Sequence, residues 1–160
     1  MGEPHVVTLR ATRAADLDEL FRFRTDHEAN RMAAFVAKDP TDRAAFDAHW
    51  ARLLADPAKV LRTVRADGRI VGDLGVWRDG ELQFLGYWID RAEWGRGIAT
   101  RAVRLLLDTL AERPLRSHVA ADNAASRAVL EKLGFAEVGR ERGWANARAA
   151  EIDELVYELA

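Results

Sequence analysis

Hydrophobic positions in the first part of the chain recur first at the spacing of a strand and then at the spacing of helices. Residues 6–10 predict a strand, and the apolar positions that begin at Leu17 predict a helix with Thr12 as its N-cap. A second helix is predicted over residues 40–54, where apolar and charged positions share each turn. Residues 25–35, which separate the two helices, are predicted to form a loop.

Residues 59–90 show a different pattern, which is typical of β-strands. Asp-Gly pairs at 67–68 and 79–80 interrupt this part, and Asp-Gly between two strand-forming runs is a strong signal for a hairpin. We therefore predict three consecutive strands joined by hairpins, which makes them antiparallel.

The last part of the chain predicts helices and strands in alternation. Helices are expected over residues 97–113 and 123–134, and Gly134 has the position of a left-handed C-cap. Further strands are expected over residues 115–120, 135–140 and 152–159. This order predicts a mixed α/β domain in which helices cover a sheet. Because no repeat or linker divides the sequence, residues 1–160 are expected to form one domain.

Composition narrows the classes of function. The chain has 160 residues, a formal net charge of −2 and no cysteine. The absence of cysteine excludes disulfides, thiolate metal ligands and any group transfer through a cysteine nucleophile. The near-neutral charge offers no global field that would attract nucleic acid or an anionic membrane, so neither is expected as a partner. Because we find no signal segment and no apolar run of membrane length, we expect a cytoplasmic protein.

The segment at residues 94–100 joins a predicted strand to a predicted helix. Gly95 and Gly97 allow a tight bend that exposes successive N–H groups, and the start of the helix adds its unpaired amides and the positive end of its dipole. These features fit a pyrophosphate, and the neighbouring Arg96 can add charge. A tight connection before a core helix is the other interpretation, because a short Gly-x-Gly is common.

A second candidate site begins at Asn123, where a strand ends and a helix begins. Ser126 follows three residues later, so its hydroxyl can face a ligand held between the two helix starts. An ordinary N-cap and a serine bonded to local backbone explain each residue alone.

Together the two motifs resemble the GNAT superfamily of acyl-CoA-dependent N-acyltransferases. The glycine loop of that family matches residues 94–99, its second motif matches residues 123–135, and residues 151–159 look like its final strand. The resemblance implies a GNAT fold, a mixed and mostly antiparallel sheet of about six to seven strands flanked by about four helices. It implies acetyl-CoA as cosubstrate and no metal. The implied coenzyme contacts are Trp88, Ile89, Trp94, Gly95, Arg96, Gly97, Ile98, Ala99, Thr100, Asn123 and Ser126.

Two departures from the family pattern concern catalysis. Trp94 stands where Arg or Gln is usual, and Leu130 stands where many members have a Tyr general acid. Both changes are similar to the branch that contains the ribosomal-protein N-terminal acetyltransferases. Ser126 is then the candidate donor to the leaving thiolate, and the resemblance makes the Ile89 N–H the candidate oxyanion donor.

The resemblance implies a general base on the strand that leads to Trp88. Gln83 occupies the position where the family often has Glu, and an amide cannot accept the proton. We expect Glu81 to take this role, so that Ser126, Asn123 and Glu81 form the predicted catalytic set. Glu93, Asp122 and His118 are other titratable groups near the expected cleft, and a solvated turn residue is the other interpretation of Glu81. Deprotonation relayed by water through any of these groups stays open.

The implied reaction is transfer of an acetyl group from acetyl-CoA to a primary amine, by direct attack in a ternary complex. A protein N-terminus is the first acceptor to consider, followed by small amines such as polyamines, amino acids and aminoglycosides. The first helices and the loop between them are expected to select the acceptor. Acidic side chains there would favour a cationic amine, and aromatic side chains would form an apolar wall or ordinary core. These residues are Asp26, Glu28, Asp39 and Asp42, and Phe35, Phe46 and Trp50.

Two other functions stay open at this point. A non-catalytic acyl-CoA-binding or sensing module fits the missing Tyr and Glu. A dinucleotide-binding domain fits poorly, because its glycine motif normally follows the first strand of a parallel βαβ unit, whereas this one follows hairpins. The sequence is also compatible with a homodimer.

Overall fold

A computed structural model describes residues 2–4 and 6–160 of the protein. In them one sheet of seven strands has the order β1-β2-β3-β4-β5-β7-β6. The strands are β1 (Val7–Ala11), β2 (Val60–Ala66), β3 (Arg69–Asp79), β4 (Leu82–Ile89), β5 (Leu115–Ala120), β6 (Ala136–Ala145) and β7 (Ala150–Leu159). The α-helices are α1 (Leu17–Arg24), α2 (His27–Ala33), α3 (Arg43–Ala55), α4 (Ile98–Thr109) and α5 (Ala124–Lys132). The predicted mixed, mostly antiparallel sheet is confirmed.

The two Asp-Gly pairs form the predicted hairpins. Strands β2, β3 and β4 pair antiparallel, and Gly68 and Gly80 in the two turns have φ angles of +82° and +62°. Glycine adopts such left-handed angles without the steric penalty of a Cβ. In the register of the second hairpin, Gly75 of β3 lies opposite Gly86 of β4.

Strands β4 and β5 separate after a short parallel contact. Their pairing consists of Gln83 with Leu115 and Phe84 with Arg116, although β4 continues to Ile89. The gap that opens between the two strands is the main irregularity of the sheet, and the candidate site lies there.

Helices cover both faces of the sheet. The buried side chains of α4 and α5, such as Leu106 and Leu130, pack on one face against Leu85 and Leu155. On the other face α1 and α3 form a second cluster that includes Trp50. In the part of the chain that the structure describes, no helix combines the length and the apolar character needed to cross a membrane.

Two predictions near the amino terminus were wrong. Thr12 does not cap α1; the turn before that helix is held by Asp16, whose carboxylate accepts the Arg13 N–H at 2.9 Å. The Thr12 hydroxyl instead lies 3.1 Å from the Thr63 hydroxyl, which itself donates to Asp16. Residues 25–35 are not all loop, because Asp26 accepts the Ala29 N–H at 2.8 Å and caps α2. The described residues therefore contain five α-helices, where about four were expected.

Candidate active site

The glycine loop adopts the geometry that its sequence predicts. Gly95 and Gly97 have φ angles of +76° and +74°, and Gly97 is the N-cap of α4. Trp94 ties the loop to the end of β4 because its Nε1–H donates to the Ile89 carbonyl at 2.9 Å. The first N–H groups of an α-helix have no partner within the helix, so the loop and α4 present donors on one side. This arrangement fits an anionic group such as a pyrophosphate.

Asn123 connects two helices across the site. Its Oδ1 accepts the Ser126 N–H at 3.2 Å, which confirms the predicted N-cap of α5. Its Nδ2 donates to the Met32 carbonyl of α2 at 3.3 Å. The side chain therefore fixes the start of α5 and also its distance from α2.

These elements enclose a cleft of about 340 Å³, which we call the inner cleft. It passes between the end of β4 and the starts of α4 and α5, with α2 as its remaining wall. Ten residues that were predicted to contact a coenzyme line it: Trp88, Ile89, Trp94, Gly95, Gly97, Ile98, Ala99, Thr100, Asn123 and Ser126. The structure brings them together from three separate parts of the sequence.

Arg96 is the predicted coenzyme contact that does not line the inner cleft. Its Nε donates to the Gly2 carbonyl at 2.9 Å, and its guanidinium pairs with Glu93. Arg101 on α4 is similarly engaged, by the Glu3 carboxylate. The basic side chains of the loop therefore contact the amino-terminal segment.

The separation of β4 from β5 leaves backbone groups facing the inner cleft. The Ser117 hydroxyl of β5 donates to the Leu85 carbonyl at 2.9 Å, so the peptide groups of Leu85 point toward β5. Along a strand the N–H and C=O groups alternate between the two edges. The N–H groups of Tyr87 and Ile89 therefore point into the gap, where the ladder to β5 has ended.

A second and larger cleft, of about 840 Å³, lies on the other face of the sheet and is called the outer cleft. Its floor includes the Gly75 and Gly86 pair, over which the side chains of Trp77 and Leu61 lie. Its walls come from α1, α3 and the segment that follows α2. Tyr87 and Trp88 line both clefts. The two clefts thus meet at the end of β4.

The charged groups of the outer cleft are mostly paired. The Arg24 guanidinium binds both carboxylate oxygens of Asp73, at 2.7 and 2.9 Å, and its carbon lies 5.0 Å from the ring centre of Trp88. Lys59 pairs with Asp56. Burial, with help from nearby cationic side chains, lowers the pKa of His49 and favours a neutral imidazole.

The predicted acceptor-selecting residues divide into two groups. Phe35, Phe46 and Trp50 line the outer cleft, and Trp50 also belongs to the buried core. Asp39 and Asp42 line it as well, but they accept hydrogen bonds from Thr41 and from the Ala45 N–H. Asp26 and Glu28 do not line it and pair with Arg91 and Arg31.

Glu81 is not brought together with Ser126 and Asn123. It is exposed in the turn that precedes β4, whereas the site lies at the other end of that strand. Trp88 follows Glu81 by seven positions of nearly extended chain, a distance on the order of 20 Å.

The other titratable candidates are engaged. Glu93 lines the inner cleft but pairs with Arg96 and Arg69. Asp122 binds Arg148, and the His118 ring lies 3.1 Å from Glu154.

The sequence prediction missed several residues of the inner cleft. Tyr87 is the most important, since its hydroxyl lies 2.6 Å from the Ser126 hydroxyl. The sequence signal for Tyr87 is that it directly precedes Trp88 on the same predicted strand. The cleft also contains Ala125 and Val129 of α5 and Ala29, Met32 and Ala33 of α2.

Comparisons with known proteins agree with this geometry. The family model for the acetyltransferase (GNAT) domain matches residues 7–136. N-alpha-acetyltransferase RimI of Mycobacterium tuberculosis is 34% identical over 124 residues, which cover 73% of this chain and 75% of that protein.

Among solved structures, the chain is similar to Mycobacterium smegmatis RimJ in complex with CoA-disulfide. The TM-score is 0.82 at 26% identity, over 96% of this chain and 81% of that one. The ribosomal L7/L12 alpha-N-protein acetyltransferase RimL in complex with coenzyme A has a TM-score of 0.81 at 18% identity, over 97% and 94% of the two chains, and shows the same fold. The chain therefore belongs to the GNAT family of acetyl-CoA-dependent N-acetyltransferases.

Proposed function

We propose that the protein transfers the acetyl group of acetyl-CoA to the α-amino group of a polypeptide N-terminus, by direct attack in a ternary complex. The observation that carries this proposal is the meeting of the inner and outer clefts at Tyr87 and Trp88. Two substrates that enter from opposite faces of the sheet would place their reacting atoms at this junction. Because the chain has no cysteine, no thiol of the protein can carry the acetyl group between them.

The inner cleft suits acetyl-CoA. The left-handed glycines and the free N–H groups at the start of α4 would bind the pyrophosphate. The N–H groups of Tyr87 and Ile89 would bind the pantetheine arm and the thioester carbonyl, with Ile89 as the oxyanion donor. Acetyl-CoA supplies the acetyl group as an activated thioester. The side chains of Asn123 and Ser126 would orient it.

The outer cleft suits an acceptor with a single amine. Its carboxylates at Asp56 and Asp73 are paired with cations, and Asp39 and Asp42 accept local hydrogen bonds. A polyamine would need free carboxylates for its other ammonium groups. At the floor, the Trp77 ring lies 3.1 Å from the point where a Cβ on Gly86 would stand, and this ring gives the acceptor an apolar surface to pack against. The name of the RimI relative, an N-alpha-acetyltransferase, points to the same acceptor class.

No free carboxylate at the junction serves as a general base among the described residues. Glu93 of the inner cleft and Asp73 of the outer cleft are both ion-paired. The incoming ammonium would therefore lose its proton to water in the open outer cleft. This step depends on positioning of the amine more than on a strong base.

Thiol release from acetyl-CoA tests the proposal. Peptides with a free N-terminus should release CoA thiol and gain one acetyl group at the first residue, as shown by mass spectrometry. The same peptides with a blocked N-terminus are the matched control and should be inert. Initial rates with both substrates varied should give intersecting lines, because a ternary complex forms; parallel lines would contradict direct attack.

Other outcomes separate the remaining functions. Release with a polyamine or an aminoglycoside but not with peptides would assign a small-amine acceptor. Binding of acetyl-CoA without release for any amine would assign a non-catalytic acyl-CoA-binding module.

A further inference from the structure

The hydroxyl of Tyr87 and the hydroxyl of Ser126 form a close pair in the wall of the inner cleft. The two oxygen atoms are 2.6 Å apart, and the Tyr87 oxygen lies 3.4 Å from the Ser126 carbonyl. Tyr87 belongs to β4 and Ser126 to the first turn of α5, so 39 residues separate the partners in the sequence. The contact joins the strand that would hold the thioester to the helix that would face its sulfur.

Either hydroxyl can donate in this pair, and the direction determines where the proton of Ser126 points. A serine hydroxyl has one proton and two acceptor lone pairs, and a phenol has one proton. If Tyr87 donates to Ser126 Oγ, the proton of Ser126 stays free to point into the cleft. Burial raises the pKa of Tyr87, although the hydrogen bond with Ser126 opposes this shift, so the phenol stays protonated and can act as the donor.

In many GNAT members α5 carries a Tyr general acid, but this chain has no proton donor at that position. Leu130 occupies it here, and its side chain is completely buried in the core. Tyr87 reaches the same cleft from the opposite wall, on β4. A phenol is thus present beside Ser126 even though α5 does not supply it.

We propose that Tyr87 is a positioning residue, which holds the Ser126 hydroxyl so that its proton points at the sulfur of the thioester. This inference rests on the proposed function. The amine nitrogen forms a bond to the acetyl carbon, and the C–S bond breaks with its electron pair on sulfur. The nitrogen, which has already lost one proton as the ammonium became an amine, loses a second proton to water as the amide forms. Ser126 and Tyr87 both keep their protons, and the Ser126 O–H stabilises the departing thiolate.

The thiol of bound CoA gives a direct test that requires no acceptor. Because the chain has no cysteine, CoA supplies the one thiol of the complex, and the ultraviolet absorbance of its thiolate can be titrated. A complex with desulfo-CoA provides the blank for protein tyrosines. A hydroxyl that donates to sulfur increases the thiolate fraction at a fixed pH. Ser126→Ala should reduce this fraction about tenfold and Tyr87→Phe about threefold or more.

Tyr157→Phe is the matched control. The Tyr157 hydroxyl also binds α5, by donating to Glu131 at 2.8 Å and accepting from Arg127 at 3.2 Å, but it does not contact Ser126. Its loss removes an anchor of the same helix and should leave the thiolate fraction unchanged. In turnover, Tyr87→Phe should lower kcat with little change in the KM for acetyl-CoA, and Tyr157→Phe should change neither. In a Ser126→Ala background, the effect of Tyr87→Phe should disappear.

A second probe leaves the shape of Tyr87 intact. The chain has two tyrosines, so fluorotyrosine incorporated into the Tyr157→Phe protein labels Tyr87 alone. A fluorinated phenol is a stronger donor and should increase the thiolate fraction, in the opposite direction to Tyr87→Phe.

The outcomes for the two proposals can be told apart. Equal thiolate fractions in wild type, Tyr87→Phe and the fluorinated protein, with CoA bound in each, would overturn the role of Tyr87. Failure of the wild-type protein to bind CoA would instead count against the proposed function.

Discussion

The carboxylate of Glu3 accepts a hydrogen bond from the guanidinium of Arg101, with 2.6 Å between Oε2 and Nη2. Its other oxygen, Oε1, lies 3.4 Å from the point where a Cβ on Gly97 would stand. Residues 2–4 therefore place a negative charge against the loop that we propose for the pyrophosphate of CoA.

Removal of this charge should strengthen CoA binding. Glu3→Gln removes the ion pair with Arg101, which keeps its hydrogen bond to the Pro4 carbonyl, and ends the repulsion between a carboxylate and the phosphates. A charge at a helix N-terminus is worth about 0.3–1 kcal/mol, so we expect CoA to bind about two- to fivefold more tightly at low ionic strength. The gain should shrink as salt screens the charges. Isothermal titration calorimetry at two salt concentrations measures both effects.

Two controls make this result specific. Glu19→Gln removes an exposed carboxylate that pairs with Arg22 on α1, away from the loop, and should not change CoA binding. Pantetheine, which lacks the pyrophosphate, should bind wild type and Glu3→Gln equally. Weaker CoA binding by Glu3→Gln would show that Glu3 does not compete with the phosphates.

Gly95 and Gly80 form a matched pair for testing the glycine loop. Both have positive φ angles, +76° and +62°, and a Cβ at either would meet no atom within 4 Å. Alanine at either position should lower the free energy of unfolding by about 1 kcal/mol, because the left-handed conformation disfavours a Cβ. Gly95→Ala should also weaken CoA binding about tenfold or more, because the Cβ enters space beside the phosphate-binding amides.

Urea unfolding and CoA calorimetry on the two variants separate these effects. Gly80→Ala should bind CoA as wild type does, since Gly80 lies in the β3–β4 turn. Equal affinities for CoA in Gly95→Ala and Gly80→Ala would contradict the phosphate role of the loop.

Local signals explain the parts of the fold and site that the sequence predicts. The Asp-Gly hairpins, the Asn123 cap and the loop at Gly95 and Gly97 each depend on residues adjacent in the chain. Helix α2 has seven residues, about two turns, which is too short to show a helical period. Its cap at Asp26 was the available signal.

The remaining features depend on contacts between distant parts of the chain. The pair of Tyr87 and Ser126 requires that β4 and β5 separate after Phe84, and no local pattern encodes that separation. Glu81 is a different case. Strand β4 was predicted, but Glu81 lies in the hairpin turn before it, at the end of the strand away from the site.

The stability of the protein should decrease in acid because of Asp16. This buried carboxylate accepts hydrogen bonds from Arg10, Arg13 and Thr63, and the Arg10 bond is the main reason that its pKa falls from 3.8 to about 2. A carboxyl with a lowered folded pKa stabilises the fold above its unfolded pKa. We expect about 2 kcal/mol from Asp16 near neutral pH, lost as the pH falls from about 4 to about 2.

Asp16→Asn should therefore lower the free energy of unfolding at neutral pH by about 2–4 kcal/mol, because Arg10 loses its partner. It should also flatten the pH dependence between about pH 4 and pH 2. Urea unfolding over this range tests both expectations. Asp18→Asn, at a side chain that is 85% exposed, is the control and should keep the wild-type acid response. An unchanged slope in Asp16→Asn would assign the acid sensitivity to another group.

The two hydrogen bonds of Asn123 can be separated by substitution. Its Oδ1 caps α5 and its Nδ2 holds the Met32 carbonyl of α2. Asn123→Asp keeps an acceptor for the cap, so the free energy of unfolding should stay within about 0.5 kcal/mol of wild type. It replaces the donor with a carboxylate that repels the Met32 carbonyl, so α2 should move. Because α2 forms a wall of the inner cleft, this movement should change the shape of the cleft.

We expect Asn123→Asp to bind CoA several-fold more weakly than wild type while it unfolds at a similar urea concentration. Asn123→Ala removes both hydrogen bonds. It should therefore bind CoA more weakly than wild type and lose about 1 kcal/mol of stability through the missing cap. Asp42→Asn, a cap exchange at α3 whose side chain accepts the Ala45 N–H, is the control and should be near neutral in both measurements. If Asn123→Asp bound CoA as tightly as wild type, the bond to Met32 would have no part in shaping the inner cleft, and Asn123 would act as a helix cap alone.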